Sequence, residues 1–371
     1  MMFPRVKVLV VDDSVVIRKV LSDCLMADPE IDFLGAAANG RIALQKMAQT
    51  VPDVVALDVE MPEMDGLATL EQIRKLYPTL PVVMFSSLTE KAAHTTLEAL
   101  RRGATDYFAK PSGTGSAKGS IEMIQRELVP RLKGLGRAGH GGARLALHAL
   151  MSSRPPGALR PPATGTKIEI VALGASTGGP NAIADVLDKL PPLAVPMVLT
   201  QHMPRLFTRL FAERLDAATP HTVKEAEDGD VLQPGHILVA PGDYHMVLRR
   251  EGTRVRVRLS QEPPENSCRP AVDPMMRSVV SLYGASVLGV VLTGMGQDGL
   301  RGCQEIRDAG GQVVVQDEAT SVVWGMPGFV ARAKLAHAVV PLSRIASEIT
   351  SRVAAGRTFG ASPVKEAYGC R

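Results

Sequence analysis

The stretch IEIVALGASTGGP, residues 168–180, is apolar but for Glu169 as far as Leu173 and then breaks into small residues around Ser176. A short apolar run that ends in turn residues reads as a strand buried on both faces, the kind found in parallel sheets. Pro180 and Asn181 can start a helix directly after it. The question is what the turn does: Gly174, Gly178 and Gly179 either bring backbone N–H groups to a phosphate or lift Ser176 on a G-x-S-x-G elbow.

The phosphate reading needs an acidic residue for a ribose at the end of the next strand, ~20 residues on. Gln201 and His202 stand there instead, and neither Tyr244 nor Tyr283 has a lysine four positions later. The nucleophile reading needs a base that works near neutral pH, and His202 is one. The motif LTGMGQDG then sets Asp298 after a third apolar strand. Hydroxyl, imidazole and carboxylate thus all leave the carboxyl ends of parallel strands, as a Ser-His-Asp triad requires. Asp298 also fits a helix N-cap, and Asp243, Asp273 and Asp317 are rival acids on the sequence alone. Arg269, Pro270 and Asp273 fit a substrate groove or a tied loop equally well, and Trp324 and Met326 read as packing.

Outward from this stretch, the chain of 371 residues has room for two or three domains. Its hydrophobic content of 45% and aromatic content of 4% suit aliphatic α/β packing. Residues 131–167 hold seven Lys or Arg and no Asp or Glu, so a formal charge of +4 hides a net-negative remainder. Without interleaved aromatics that basic stretch reads as a solvated linker, and nucleic acid is not indicated. Cys24, Cys268, Cys303 and Cys370 form no metal-type spacing and suit a reducing compartment. No apolar run approaches the ~18 residues of a membrane span, and the N-terminus reads as a strand, which predicts a cytoplasmic protein.

Residues 5–111 alternate short apolar runs with amphipathic stretches, predicting five parallel strands with helices between them. Asp12 and Asp13 follow VKVLVV, Asp58 follows VVAL, and Lys110 follows YFA. Carboxylates gathered at strand ends repel one another unless a cation sits among them, and oxygen donors suit Mg²⁺. One of them can then accept a phosphoryl group. Farther on, HMVLRR, EGT and RVRVRLS predict an antiparallel hairpin within an otherwise parallel second domain.

DDS at 12–14, LDVEMPEMDG at 57–66, MFSS at 84–87 and the KP pair at 110–111 resemble the receiver domain of bacterial response regulators. The resemblance implies a flavodoxin-like fold with a five-stranded parallel sheet. It makes Asp58 the phosphoacceptor, with Asp12, Asp13, Asp58 and the backbone of Glu60 around Mg²⁺, and Ser86, Tyr107 and Lys110 as switch residues. GASTGGP, TQHMP, RPAVDPMMRS, LTGMGQDG and DEATSVVWGMP resemble the catalytic domain of chemotaxis protein-glutamate methylesterases. This implies a doubly wound, mostly parallel α/β hydrolytic domain with a Ser176-His202-Asp298 triad and an oxyanion site flanked by Thr177 and Met295. It further implies release of methanol from methylglutamates on chemoreceptor helices, with glutamine deamidation in many members.

The expected organisation is a receiver at 1–115, a helical then flexible linker at 116–166, a catalytic domain at 167–355 and a tail at 356–371. Phosphorylation of Asp58 by a chemotaxis histidine kinase is expected to relieve autoinhibition in a monomeric protein that needs no cofactor for ester hydrolysis. The alternative is a non-catalytic signalling adaptor whose second domain binds a receptor or nucleotide.

Overall fold

The structure is a computed structural model that describes residues 4–111, 117–137 and 166–355. The first unit holds strands Val6–Val11 (β1), Ile31–Ala37 (β2), Val54–Asp58 (β3), Val82–Ser86 (β4) and Asp106–Ala109 (β5). They pair in parallel in the order β2-β1-β3-β4-β5. Helices Val15–Met26 (α1), Gly40–Gln49 (α2), Gly66–Leu76 (α3) and Glu90–Arg101 (α4) alternate with the strands. Each opens on a side-chain cap, from Ser14, Asn39, Asp65 and Thr89 in turn, which satisfies one orphan N–H and fixes where the helix starts.

Residues 117–137 form a further helix (α5), and here the structure departs from the expected linker boundary. Ile124, Leu128, Val129, Leu132 and Leu135 are buried in one cluster with Val6, Val8, Leu21, Leu25 and Phe108. The helix therefore completes the receiver core. Its lead-in, SGTGSAKGS, is so rich in Gly and Ser that the apolar stripe behind it reads as the start of a linker. The rest of the expected linker and the 356–371 tail lie outside the described residues, apart from Thr166.

The second unit runs Ile170–Ala175 (β6), Gly179–Lys189 (α6), Met197–Gln201 (β7), Arg205–Ala218 (α7), Thr222–Glu225 (β8) and His236–Val239 (β9). The hairpin His245–Glu251 (β10) and Arg254–Ser260 (β11) follows, antiparallel throughout. Val272–Tyr283 (α8), Val287–Val291 (β12), Leu300–Asp308 (α9), Gln312–Gln316 (β13), Met326–Arg332 (α10), Ala338–Val340 (β14) and Leu342–Ala355 (α11) complete it. Seven strands lie in one sheet, parallel at every pairing, in the order β14-β13-β12-β6-β7-β9-β8. Strands β8 and β14 and helix α10 exceed the sequence reading. TVKE is a polar edge strand, AVV has three residues, and α10 opens on Met-Pro-Gly.

Strand order decides where chemistry can sit. From β6 the chain builds outward through β7 and β9 on one side and later through β12 and β13 on the other. The crevice beyond the carboxyl ends of β6 and its two neighbours is thus a topological switch point, where helices diverge to opposite faces of the sheet. The receiver repeats the device between β1 and β3.

The two units pack together. Leu97, Leu100, Ala104 and Tyr107 share a buried cluster with Phe207, Leu210 and Phe211, and the Tyr107 and Phe207 rings stack 4.6 Å apart. Polar contacts frame the patch: Arg214 donates to the Leu97 carbonyl at 2.6 Å, Asn181 to the Ala104 carbonyl at 3.1 Å, and Arg209 pairs with Glu90 at 3.0 Å.

Gly242 lets the loop after β9 lie directly on the start of α7. A Cβ there would meet the backbone of Pro204 and Arg205, atoms that cannot rotate away. Gly242→Ala is expected to cost about 1–3 kcal/mol by overpacking, measured by denaturant unfolding of the full chain. An unchanged midpoint would mean that this junction yields freely.

Candidate active site

Strand β6 is buried at every position, and the chain turns as soon as it ends. Gly178 adopts φ +76°, and a Cβ there would also collide with Val322, so the elbow requires glycine. Pro180 lies in the first turn of α6. The Ser176 backbone is held from both neighbouring strands: its N–H donates to the Thr293 carbonyl at 3.0 Å, and its carbonyl accepts from Gln201 Nε2 at 3.0 Å. Gly179 leaves the space that the Gln201 side chain fills. Gln201, at the position a ribose-binding acid would take, is thus an anchor for the elbow.

His202 leaves the end of β7. Its Nδ1 lies 3.1 Å from Ser176 Oγ, and its Nε2 lies 2.8 Å from Asp298 Oδ2. With Nε2–H donating to the carboxylate, Nδ1 is the acceptor that faces the hydroxyl. Asp298 is buried, and the other donors around it come from the chain. Val272 N–H reaches Oδ2 at 2.6 Å, while Asp273 N–H, Gly299 N–H and Asn266 Nδ2 reach Oδ1 at 3.1, 3.0 and 2.9 Å. Two of these amides open helix α8, whose positive dipole end faces the carboxylate.

Burial alone would raise the Asp298 carboxyl, but the bond to His202 and its charge, with the Val272 and Asp273 amides, hold it below the ordinary carboxylate range. Burial alone would lower the His202 imidazole. Negative charge on Cys268, with the Asp298 bond and charge, opposes this and raises it above its ordinary value. The Cys268 share of that rise exists only while the thiol is ionised.

The rival acids separate cleanly. Asp273 is buried behind Asp298, accepting from Gly302 N–H and from Asn266 Nδ2, and burial raises its carboxyl. Asp317 caps its own turn at Thr320. Asp243 occupies a left-handed turn beside Arg269, whose guanidinium ties down the Gln261 and Glu262 carbonyls. Trp324 Nε1 donates to the Gln316 carbonyl, and Met326 is fully buried.

Thr177 is buried, with its carbonyl accepting from the Thr293 hydroxyl at 2.9 Å. Met295 is half-buried and follows Gly294, where a Cβ would press on Ser176 and Met326. The Thr177 hydroxyl and Gly178 N–H lie near the receiver's Asp106 carboxyl, and the buried Thr177 hydroxyl makes no hydrogen bond. Asp106 is buried and its carboxyl pushed up by that burial, against the pull of Arg131 3.6 Å away. Asp106, Asn266 and Cys268 were not singled out from the sequence for this site. Two consecutive left-handed residues, Asn266 and Ser267, turn the ENSCRP loop so that Asn266 and Cys268 face the crevice. Only the Asn, which tolerates that conformation, hints at it.

In the receiver, Lys110 Nζ lies 2.7 Å from Asp58 Oδ2 and 2.9 Å from Asp12 Oδ2. Carboxylate oxygens of Asp12, Asp13 and Asp58 fall within 4.8 Å of one another. An all-oxygen set of that size fits a hard divalent cation such as Mg²⁺. Burial, with the Asp12 charge, pushes the Asp58 carboxyl up to about 6 against the opposing Lys110 and Glu60 amide contacts. Ser86 is buried with its hydroxyl donating to the Ser87 and Ala92 carbonyls, and Tyr107 points into the interface.

Fold and site together define a two-domain protein, a response-regulator receiver joined to a doubly wound α/β domain that carries a Ser-His-Asp cluster. The CheB methylesterase family model matches residues 171–349, and the response regulator receiver domain model matches residues 8–121. A protein-glutamate methylesterase/protein-glutamine glutaminase of Trichodesmium erythraeum is 49% identical over 94% of this chain and 99% of its own length. One from a Nocardioides species is 50% identical over 95% and 97%. The CheB methylesterase catalytic domain of Thermotoga maritima, a solved structure, is 38% identical over 49% of this chain and 97% of that one, with a TM-score of 0.48. The chain belongs to the CheB methylesterase family of response regulators. Among the described residues no helix is long and apolar enough to cross a membrane.

Gln201→Ala removes the side-chain donor to the buried Ser176 carbonyl. Because that carbonyl keeps the Gly179 N–H at 2.7 Å, the change is expected to lower unfolding free energy by about 0.5–1.5 kcal/mol, read from denaturant melts, and an unaltered melt would mean that the elbow holds without it.

Proposed function

We propose that the chain is a phosphorylation-controlled protein-glutamate methylesterase that acts on methylated chemoreceptor helices, with glutamine deamidation as a second use of the same acyl chemistry. The observation that carries this reading is His202 bridging Ser176 at 3.1 Å and Asp298 at 2.8 Å. Ser176 Oγ attacks the ester carbonyl while His202 Nδ1 takes its proton. The oxyanion forms beside the elbow, where the start of α6 presents backbone N–H groups and Thr177 and Met295 flank the space. Collapse expels the methoxy group, which leaves as methanol with the proton from His202. Water, deprotonated by the same nitrogen, then cleaves the acyl-enzyme to free glutamate and restore Ser176. The glutamine amide follows the same course with ammonia leaving. An adaptor reading leaves this bridged hydroxyl without a use.

Asp58 is the proposed phosphoacceptor, with a chemotaxis histidine kinase as donor. Asp12, Asp13, Asp58 and the Glu60 backbone would hold Mg²⁺, which supplies charge neutralisation at the transferring phosphoryl group. Lys110 neutralises the acceptor from the other side, and Ser86 and Tyr107 follow the phosphoryl group. The receiver is taken to extend through α5 and the hydrolytic domain to span 167–355. In the docked arrangement, Asp106 faces the Thr177 hydroxyl and the Gly178 N–H, groups the oxyanion site would use. A docking bias of about 3 kcal/mol silences roughly 99% of molecules, and phosphorylation must offset that bias through differential contacts to release them.

Ser176→Ala should abolish methanol release from methylated receptor while Asp58 still takes phosphate from a small phosphodonor; retained hydrolysis would move the nucleophile elsewhere. Full-length protein should speed up on addition of the phosphodonor, and Asp58→Asn should not. Equal rates with and without the donor would end the autoinhibition model.

A further inference from the structure

A second nucleophile stands at the proposed active site. Cys268 Sγ lies 3.4 Å from His202 Nδ1, the nitrogen that also faces Ser176 Oγ. Sulfur and oxygen thus claim the same lone pair. Cys268 is half-buried, whereas Cys24 and Cys303 are buried. Burial also raises the Cys24 and Cys303 thiols, keeping both protonated. A thiol beside an imidazole can pass its proton to the ring, and the thiolate is the reactive form. The ENSCRP loop fixes the approach, since Asn266 is tied to Asp273 and Asp298 at 3.0 and 2.9 Å while Cys268, two residues on, meets the imidazole.

We propose that Cys268 is an oxidation site through which peroxides switch the esterase off. The thiolate attacks one oxygen of the peroxide, the O–O bond breaks, and a sulfenic acid forms on sulfur. The sulfur is oxidised, the peroxide is reduced, and the departing hydroxide takes the proton held on His202 and leaves as water. The new S–OH hydroxyl then lies against Nδ1, displaces Ser176 from its base and adds bulk in front of the serine. A thiol reductant reverses the change through a mixed disulfide. This switch rests on the esterase reading but is independent of Asp58, so it acts on both the docked and the phosphorylated enzyme.

The test treats full-length protein with hydrogen peroxide and follows both methanol release and dimedone labelling, with Cys268→Ser alongside and each protein compared with its own untreated rate. The wild type should fall by roughly tenfold and recover with dithiothreitol, with dimedone on the peptide that carries Cys268, while Cys268→Ser keeps its untreated rate. Loss of activity in Cys268→Ser in step with the wild type would overturn the proposal, as would a wild type that peroxide leaves unaffected. Should the variant fail to fold, labelling of the wild type decides: dimedone absent from Cys268 after treatment overturns it. Protein not exposed to peroxide that releases no methanol even with the phosphodonor present would sink the esterase reading instead.

Discussion

A carboxylate taken out of water must find its donors inside the protein or give up its charge. Asp298 finds them on three segments: the opening amides of α8, the Asn266 side chain and the Gly299 amide, with His202 on its remaining face. The rest of the crevice depends on this arrangement. It keeps the acid ionised, and an ionised acid orients the imidazole and stabilises its charged form. The imidazole's other nitrogen is then aimed at Ser176. The ENSCRP loop, the α8 start and the turn after β12 are therefore held in place by one buried charge as much as by apolar packing.

Both units place their polar chemistry at the same kind of position, beyond strand ends where the sheet order reverses. The consequence of docking follows from geometry. Tyr107 and Asp106 are neighbours on β5, one stacked on Phe207 and the other facing the Ser176 elbow. Lys110, on the carboxyl side of the same strand, is bonded to Asp58. A four-residue strand and the lysine that follows it thus link the acceptor carboxylate to the Ser176 elbow, which gives phosphorylation a short route to the elbow. The route is contiguous packing, and the two-state behaviour assigned to it belongs to the proposed function.

Much of this was legible in the sequence because periodicity and strand-end residues report directly on parallel sheets. The apolar runs gave both sheets, and Ser176, His202 and Asp298 stood out because each ends such a run. What escaped notice is equally physical. Helix α5 is legible as a helix, but its Gly and Ser lead-in assigns it to a linker and not to the receiver core, and β14 is too short for any period to register. Asn266 and Cys268 lie in a loop whose left-handed turn comes from tertiary contacts and leaves almost no mark on composition. Asp106 reads as an ordinary strand-initial acid until a second domain is set against it. In the sequence Gln201 marks only the absence of a ribose acid, since its bond to the Ser176 carbonyl depends on the pairing of β6 with β7.

Phe207 contributes to the hydrophobic interior behind the hydrolytic sheet and also presents the ring on which Tyr107 lies. The contact between the units is thus continuous with an interior. Changes that strengthen α7 will tend to tighten the grip on the receiver, and changes that loosen the grip will erode α7. Durability and responsiveness are coupled at this residue, so a lineage that adjusts its signalling threshold here must compensate for the altered sturdiness elsewhere in the fold.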